Sequence, residues 1–180
     1  LISFLKLRNS FMKSNKEAKL SSYSSLSKIY ISMHLVDVQT KRYHIIKMTD
    51  HVLECLGKDS KKMGEYEIRD DFCGHSKNIA EKMCMESQLQ ELLEFVDLST
   101  LEERLLGKNS ITHEFIDKIS GWCRSRFIPV DYDKDGKLLH VLFCIECIEE
   151  EKKRENRLIY LARTDLMTGL CNRGSGEKRI

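Results

Sequence analysis

No charge of one sign dominates this chain. Thirty Lys and Arg stand against 28 Asp and Glu, a formal net charge of +2, so no global field favours nucleic acid or an anionic membrane over other partners. No apolar run approaches the roughly 20 residues of a spanning helix, and the opening Leu1-Ile2-Ser3-Phe4-Leu5-Lys6-Leu7 is too short and too soon charged to span or to direct secretion. The histidines His34, His44, His51, His75, His113 and His140 have no metal-type spacing partner. The seven cysteines are an odd number and scattered, which without a secretory segment implies a reduced, cytoplasmic compartment rather than a disulfide framework.

Two near-motifs fail on a missing part. Cys144-x-x-Cys147 has no second half with ligand spacing, and on a strand its members face opposite sides, so two separate thiols are expected. Asp131-x-Asp133-x-Asp135-Gly136 is the first half of a calcium loop, but the twelfth position holds Leu142 where a bidentate Glu is required, which leaves a charged hairpin. No Cys sits in a flavin-photosensor motif. No metal and no cofactor is assigned to this chain.

What is present is periodicity. With 180 residues and 41% apolar content the chain can bury one sizeable core. Leu1, Phe4, Leu5, Phe11 and Met12 mark one face of an amphipathic helix over residues 1–22, either a dimer-forming element, a continuation from an upstream module, or a helix packed on its own domain. β-branched and aromatic runs over 29–37 and 42–48 predict a hairpin around Gln39-Thr40-Lys41. A short helix over 51–56 follows, capped by Thr49 or Asp50 and ended by Gly57, then polar chain to about Gly74. Helical spacing of Ile79, Met83, Leu89, Leu92, Leu93 and Val96 predicts helix over 76–96 with a break near Met85. Ser99 and Glu102 have capping-box spacing for a helix over 101–106 that Gly107 closes. Period two then predicts strands over 111–116, 122–128 and 138–148, the last pair joined by a tight turn at Asp135-Gly136.

This order is α+β. The expected sheet has five antiparallel strands, with short helices on one face. Trp122 and Arg124 fall near its centre and, with His34, are the candidate pocket residues for an aromatic or anionic ligand; for Trp122, packing in the core or on a dimer face is the alternative.

The C-terminal run Asp165-Leu166-Met167-Thr168-Gly169-Leu170-Cys171-Asn172-Arg173 resembles the D-x-L-T-G-L-x-N-R signature that opens the GGDEF domain of bacterial diguanylate cyclases. Asp165, Thr168, Gly169, Leu170, Asn172 and Arg173 are in register, and Met167 replaces the usual Leu. The element order, with Gly121-Trp122-Cys123-Arg124-Ser125-Arg126-Phe127-Ile128, Val141-Leu142-Phe143-Cys144-Ile145 and the block from Asp97 to Leu105, is similar to a PAS (sensory box) domain.

Together the resemblances imply four parts: an N-terminal helix over 1–22, a PAS-like sensor over 23–149, a signalling helix over 150–164 and a truncated start of a GGDEF domain over 165–180. The chain is expected to be an excerpt of a longer cytoplasmic protein. Such cyclases join two GTP molecules, with Mg2+, into cyclic di-GMP at the interface of two GGDEF domains, so the implied role is a regulatory sensor of a diguanylate cyclase. The alternative is a PAS dimerisation adaptor that binds nothing. No Gly-Gly-Asp/Glu-Glu-Phe motif occurs, so no enzymatic activity is expected of these residues. The charged segment over 149–157, with pairs Glu149–Lys153 and Glu150–Arg154, reads as helix. Ile148, Leu158, Leu161 and Ala162 form an imperfect heptad seam for pairing with a second copy. A homodimer through the N-terminal and signalling helices, an unidentified small-molecule ligand, no nucleic acid and no membrane contact are the expected partners. Asp165 and Arg173 are expected to pair across their turn.

Overall fold

The computed structural model describes residues 30–57 and 68–163. The helix expected over 1–22, and Asp165, Thr168, Gly169, Leu170, Asn172 and Arg173, lie outside the described residues. The chain divides into two units between Cys147 and Ile148.

The first unit is a mixed α+β arrangement. Strands β1 (Tyr30–Asp37) and β2 (Tyr43–Met48) are followed by helix α1 (Asp50–Cys55), strand β3 (Ile68–Arg69), and helices α2 (Phe72–Met83), α3 (Glu86–Val96) and α4 (Leu101–Leu105). Strands β4 (Ile111–Asp117), β5 (Gly121–Tyr132) and β6 (Leu138–Cys147) complete it. The six strands form one sheet in the order β3-β2-β1-β6-β5-β4, with antiparallel pairing throughout. This corrects the expected five strands. β3 is only two residues long and pairs with Tyr43 and His44, too short to register as an alternating pattern inside a polar stretch.

The β1–β2 turn is built by Asp37, whose Oδ1 accepts from the backbone N–H of Gln39 (3.0 Å) and Thr40 (2.9 Å). In the β5–β6 turn Asp133 does the same for Asp135 (2.9 Å) and Lys137 (2.8 Å), and Gly136 takes φ +80°. Asp133 thereby commits its Oδ1 within its own hairpin.

Helix α2 begins four residues earlier than the apolar spacing suggests. Asp71, in a left-handed conformation (φ 60°, ψ 66°), caps it by accepting from Gly74 N at 2.9 Å. A Cβ on Gly74 would stand 2.2 Å from Asp71 Oδ2, so this glycine serves a helix start, not a loop. The break between α2 and α3 falls at Cys84 and Met85, both extended, where Met85 N donates to Ile116 O (2.9 Å) and Lys118 N to Met83 O (2.7 Å). The kink is thus pinned to the end of β4.

The capping box expected at α4 does not form. Thr100 occupies the N-cap with no side-chain bond. Ser99 instead donates its backbone N–H (2.9 Å) and hydroxyl (2.5 Å) to Asp97, which holds that carboxyl below its usual range, while Glu102 accepts from Leu138 N at 3.1 Å. A tertiary acceptor role replaced the local one.

Side chains of α2, α3 and α4 pack with one face of the sheet. Phe72, Leu92, Leu101 and Leu105 share a buried cluster with Val36, Tyr43, Phe115, Phe127, Val141 and Phe143. Fully burying each such side chain contributes on the order of 1.5–3 kcal/mol. Phe127 and Phe143, directly opposed across β5 and β6, stand 4.8 Å apart between ring centroids, with Phe72 5.3 Å from Phe143.

The second unit contains helix α5 (Glu149–Arg163). Lys153 pairs with Glu149 (3.7 Å) and Glu150 (3.0 Å), and Arg154 Nε donates to the Glu150 carbonyl at 3.2 Å rather than to its carboxylate as expected. No residue of α5 is buried, and Leu158, Ile159, Tyr160 and Leu161 are exposed. Among the described residues no helix is long and apolar enough to cross a membrane.

Candidate functional site

Alternation along β1 places Ser32, His34 and Val36 on one face, against Ile145, Phe143 and Val141 of β6. Two of those three positions are polar on an otherwise apolar face. Ser32 is 1% and His34 1% exposed, and neither the Ser32 hydroxyl nor either His34 ring nitrogen has a hydrogen-bond partner. A neutral imidazole carries one donor and one acceptor. Burying them unpartnered costs roughly 1–3 kcal/mol each.

Both residues line a cavity of about 30 Å³ between the sheet and helices α1, α2 and α3. Its other walls are mainly apolar, from Val52, Ile79, Met83, Leu92, Phe115 and Phe143, with Ser76, Asp117 and Cys123 as further polar members. Asp117 Oδ1 is committed to the β4–β5 turn, accepting from Ile119 N (3.0 Å) and Ser120 N (2.6 Å). The volume admits about two water-sized molecules.

Electrostatics sharpen the character of this space. Burial, reinforced by His75, His44 and Arg69, lowers the His34 pKa from 6.5 to about 3, so the imidazole is neutral at physiological pH. Its ring sits edge-on to Tyr43 (5.8 Å) and Phe72 (6.2 Å) and 5.4 Å from His75. Burial also lifts the Tyr43 hydroxyl to about 12. The arrangement can donate and accept hydrogen bonds from His34 and Ser32, but His34 supplies no positive charge for an anion.

The other two residues expected in the pocket lie elsewhere. Trp122 and Arg124 alternate with Cys123 on β5 and occupy the opposite face of the sheet from it. Arg124 Nη2 meets Glu114 at 2.8 Å and its Nη1 meets Glu146 at 3.3 Å; Arg126 also reaches Glu146, at 3.2 Å. Glu114, Arg124 and Glu146 are cross-strand neighbours in register and Arg126 reaches Glu146 diagonally, an ion-pair ladder across β4, β5 and β6. Trp122 opposes Ile116 on β4. Of the three expected residues, only His34 lines the cavity. Sequence reasoning misses Ser32, although a serine two residues before a histidine on an apolar strand face is the available signal.

The remaining sequence candidates lie outside this cavity. Cys144 is buried, with its thiol raised to about 12 by burial, whereas Cys147 is exposed. His140 Nδ1 lies 2.7 Å from Asp131 Oδ1. Among the described residues no group of three His, Cys, Asp or Glu is placed to hold a metal.

No family model and no curated protein matches this chain. Three solved structures are similar to it at 12% identity each. They are a sensory box histidine kinase/response regulator from Burkholderia thailandensis E264 (TM-score 0.43, 78% of this chain and 92% of that one), the domain of a light and redox sensing histidine kinase from Haloarcula marismortui (0.40, 71% and 98%), and a light-oxygen-voltage domain studied with a flavin analogue (0.36, 79% and 97%). Identities and scores this low assign no activity, ligand or residue role here.

Proposed function

We propose that residues 30–147 act as a PAS-type sensor module that regulates a diguanylate cyclase, with the cavity at Ser32 and His34 as its sensing site. The observation that carries this is the pair of buried, unpartnered polar side chains facing a shared cavity; such groups are normally satisfied, and an internal ligand or ordered water would satisfy them. The order of two strands, short helices and three further long strands agrees with the PAS resemblance. The GGDEF resemblance of Asp165 to Arg173 supports a cyclase as the output, which would use GTP and Mg2+ in its own catalytic domain.

A single residue, Ile148, separates β6 from helix α5 in the chain, and the exposed Leu158, Leu161 and Ala162 of α5 fit a homodimer seam in which two copies set the apposition of two catalytic domains. Fifteen helical residues span roughly 22 Å. A ligand acts only if it favours one apposition over the other. The cytoplasmic assignment and the absence of a resident cofactor belong to the same proposal.

Fusing residues 1–180 to a catalytic cyclase domain tests it. The expected result is cyclic di-GMP synthesis whose rate changes with Ser32→Ala or His34→Leu; a rate indifferent to both overturns the sensing site. A ligand-free dimerisation adaptor is the second reading, favoured by the small cavity. Native mass spectrometry separates the two: a dimer that releases a small molecule on denaturation supports sensing, and a bare dimer supports the adaptor.

A further inference from the structure

The spacing Cys144-x-x-Cys147 draws attention to two cysteines that the pleat holds apart, while the sheet register brings one of them to a third. Cys123 of β5 and Cys147 of β6 are direct cross-strand partners. Directly opposed residues in an antiparallel pair have Cα atoms about 4.5–5.5 Å apart and side chains on the same face, within the span a disulfide bridges. Both are present as thiols.

Their environments differ in a useful way. Cys147 is exposed, its Sγ 3.4 Å from the Ser120 carbonyl oxygen. Cys123 is fully buried and lines the same cavity as Ser32 and His34. Cys147 is also the last residue of β6, separated from the start of α5 by Ile148 alone. One thiol can meet a solution oxidant; the other is held where it can resolve the product.

We propose that Cys123 and Cys147 form a peroxide-oxidisable dithiol, joined as a reversible cross-strand disulfide. The Cys147 thiolate attacks one oxygen of hydrogen peroxide, the O–O bond breaks, and the departing hydroxide takes up a proton to leave as water. Cys147 is then a sulfenic acid. The Cys123 sulfur attacks the Cys147 sulfur, forming S–S and displacing hydroxide, which leaves as a second water with the Cys123 proton. The two thiols lose two electrons and the peroxide gains them. Cys144 is no competitor, being buried and pleated to the other face. The inference does not depend on the cavity binding a ligand.

Peptide mapping of the full chain before and after hydrogen peroxide, with remaining thiols alkylated, tests this. The expected result is a product with two fewer alkylated cysteines than the seven of the reduced chain, restored by dithiothreitol. A protease that cuts after Glu146 separates Cys144 from Cys147, and the crosslinked peptides must carry Cys123 and Cys147. Cys147→Ala, at an exposed position, should abolish the crosslink. A bridge to any other cysteine, stepwise oxidation without a bridge, or unchanged crosslinking in Cys147→Ala overturns the proposal.

Discussion

Replacing His34 by Leu gives the sharpest test of the cavity chemistry, because it removes two unpartnered nitrogens while nearly conserving volume. The folded pKa of about 3 lies below the ordinary 6.5, so as pH falls the unfolded chain takes up this proton before the folded one. Stability from His34 is therefore complete above about pH 6.5 and drains away down to about pH 3. Each pH unit in that window costs roughly 1.4 kcal/mol, so about 2 kcal/mol is gone by about pH 5. His34→Leu has no such proton to bind. Urea unfolding of both proteins from about pH 7.5 to about pH 4.5 should show their stabilities diverging below pH 6.5, with the variant ahead by about 1.4 kcal/mol more for each unit. With nothing bound in the cavity, the variant should already be more stable at neutral pH by about 2–6 kcal/mol, since two unsatisfied polar atoms have gone. Parallel curves would refute the buried neutral imidazole. A less stable variant at neutral pH would show that the nitrogens are partnered in the purified protein.

Arg124→Ala should lower stability by about 1–3 kcal/mol, because it leaves Glu114 and largely buried Glu146 short of a partner; any ligand affinity measured at the cavity should stay unchanged, and a lost affinity would place Arg124 in the pocket after all. Phe127→Ala, at the centre of the aromatic cluster, should cost about 3–5 kcal/mol in a denaturant titration; a loss under about 1 kcal/mol would mean that the cluster is not the core. At a concentration low enough that both proteins are monomers, Leu158→Lys with Leu161→Lys should shift the unfolding free energy by less than about 0.5 kcal/mol, since within one chain α5 buries neither residue. Light scattering at higher concentration should report a monomer, and a persisting dimer would remove α5 from the interface.

Local pattern decided which segments became strands and helices. The β-branched and aromatic content of Tyr30–Asp37, alternation in Ile111–Asp117, the glycine at 136 and the Glu149–Lys153 pair are properties of neighbours in the chain, and all were legible without coordinates. Tertiary structure decided what those elements present to one another. Ile68–Arg69 became a strand because an edge was open to it, Glu102 left its capping role for the backbone of Leu138, and Asp71 opened helix α2 four residues before the expected start. The pleat sent Arg124 and Trp122 away from the cavity that Ser32 and His34 share, and the β5–β6 register set Cys123 opposite Cys147. Periodicity is a property of a single strand and can be read along it. Register is a relation between strands far apart in sequence, fixed only when their apolar faces close over a common core.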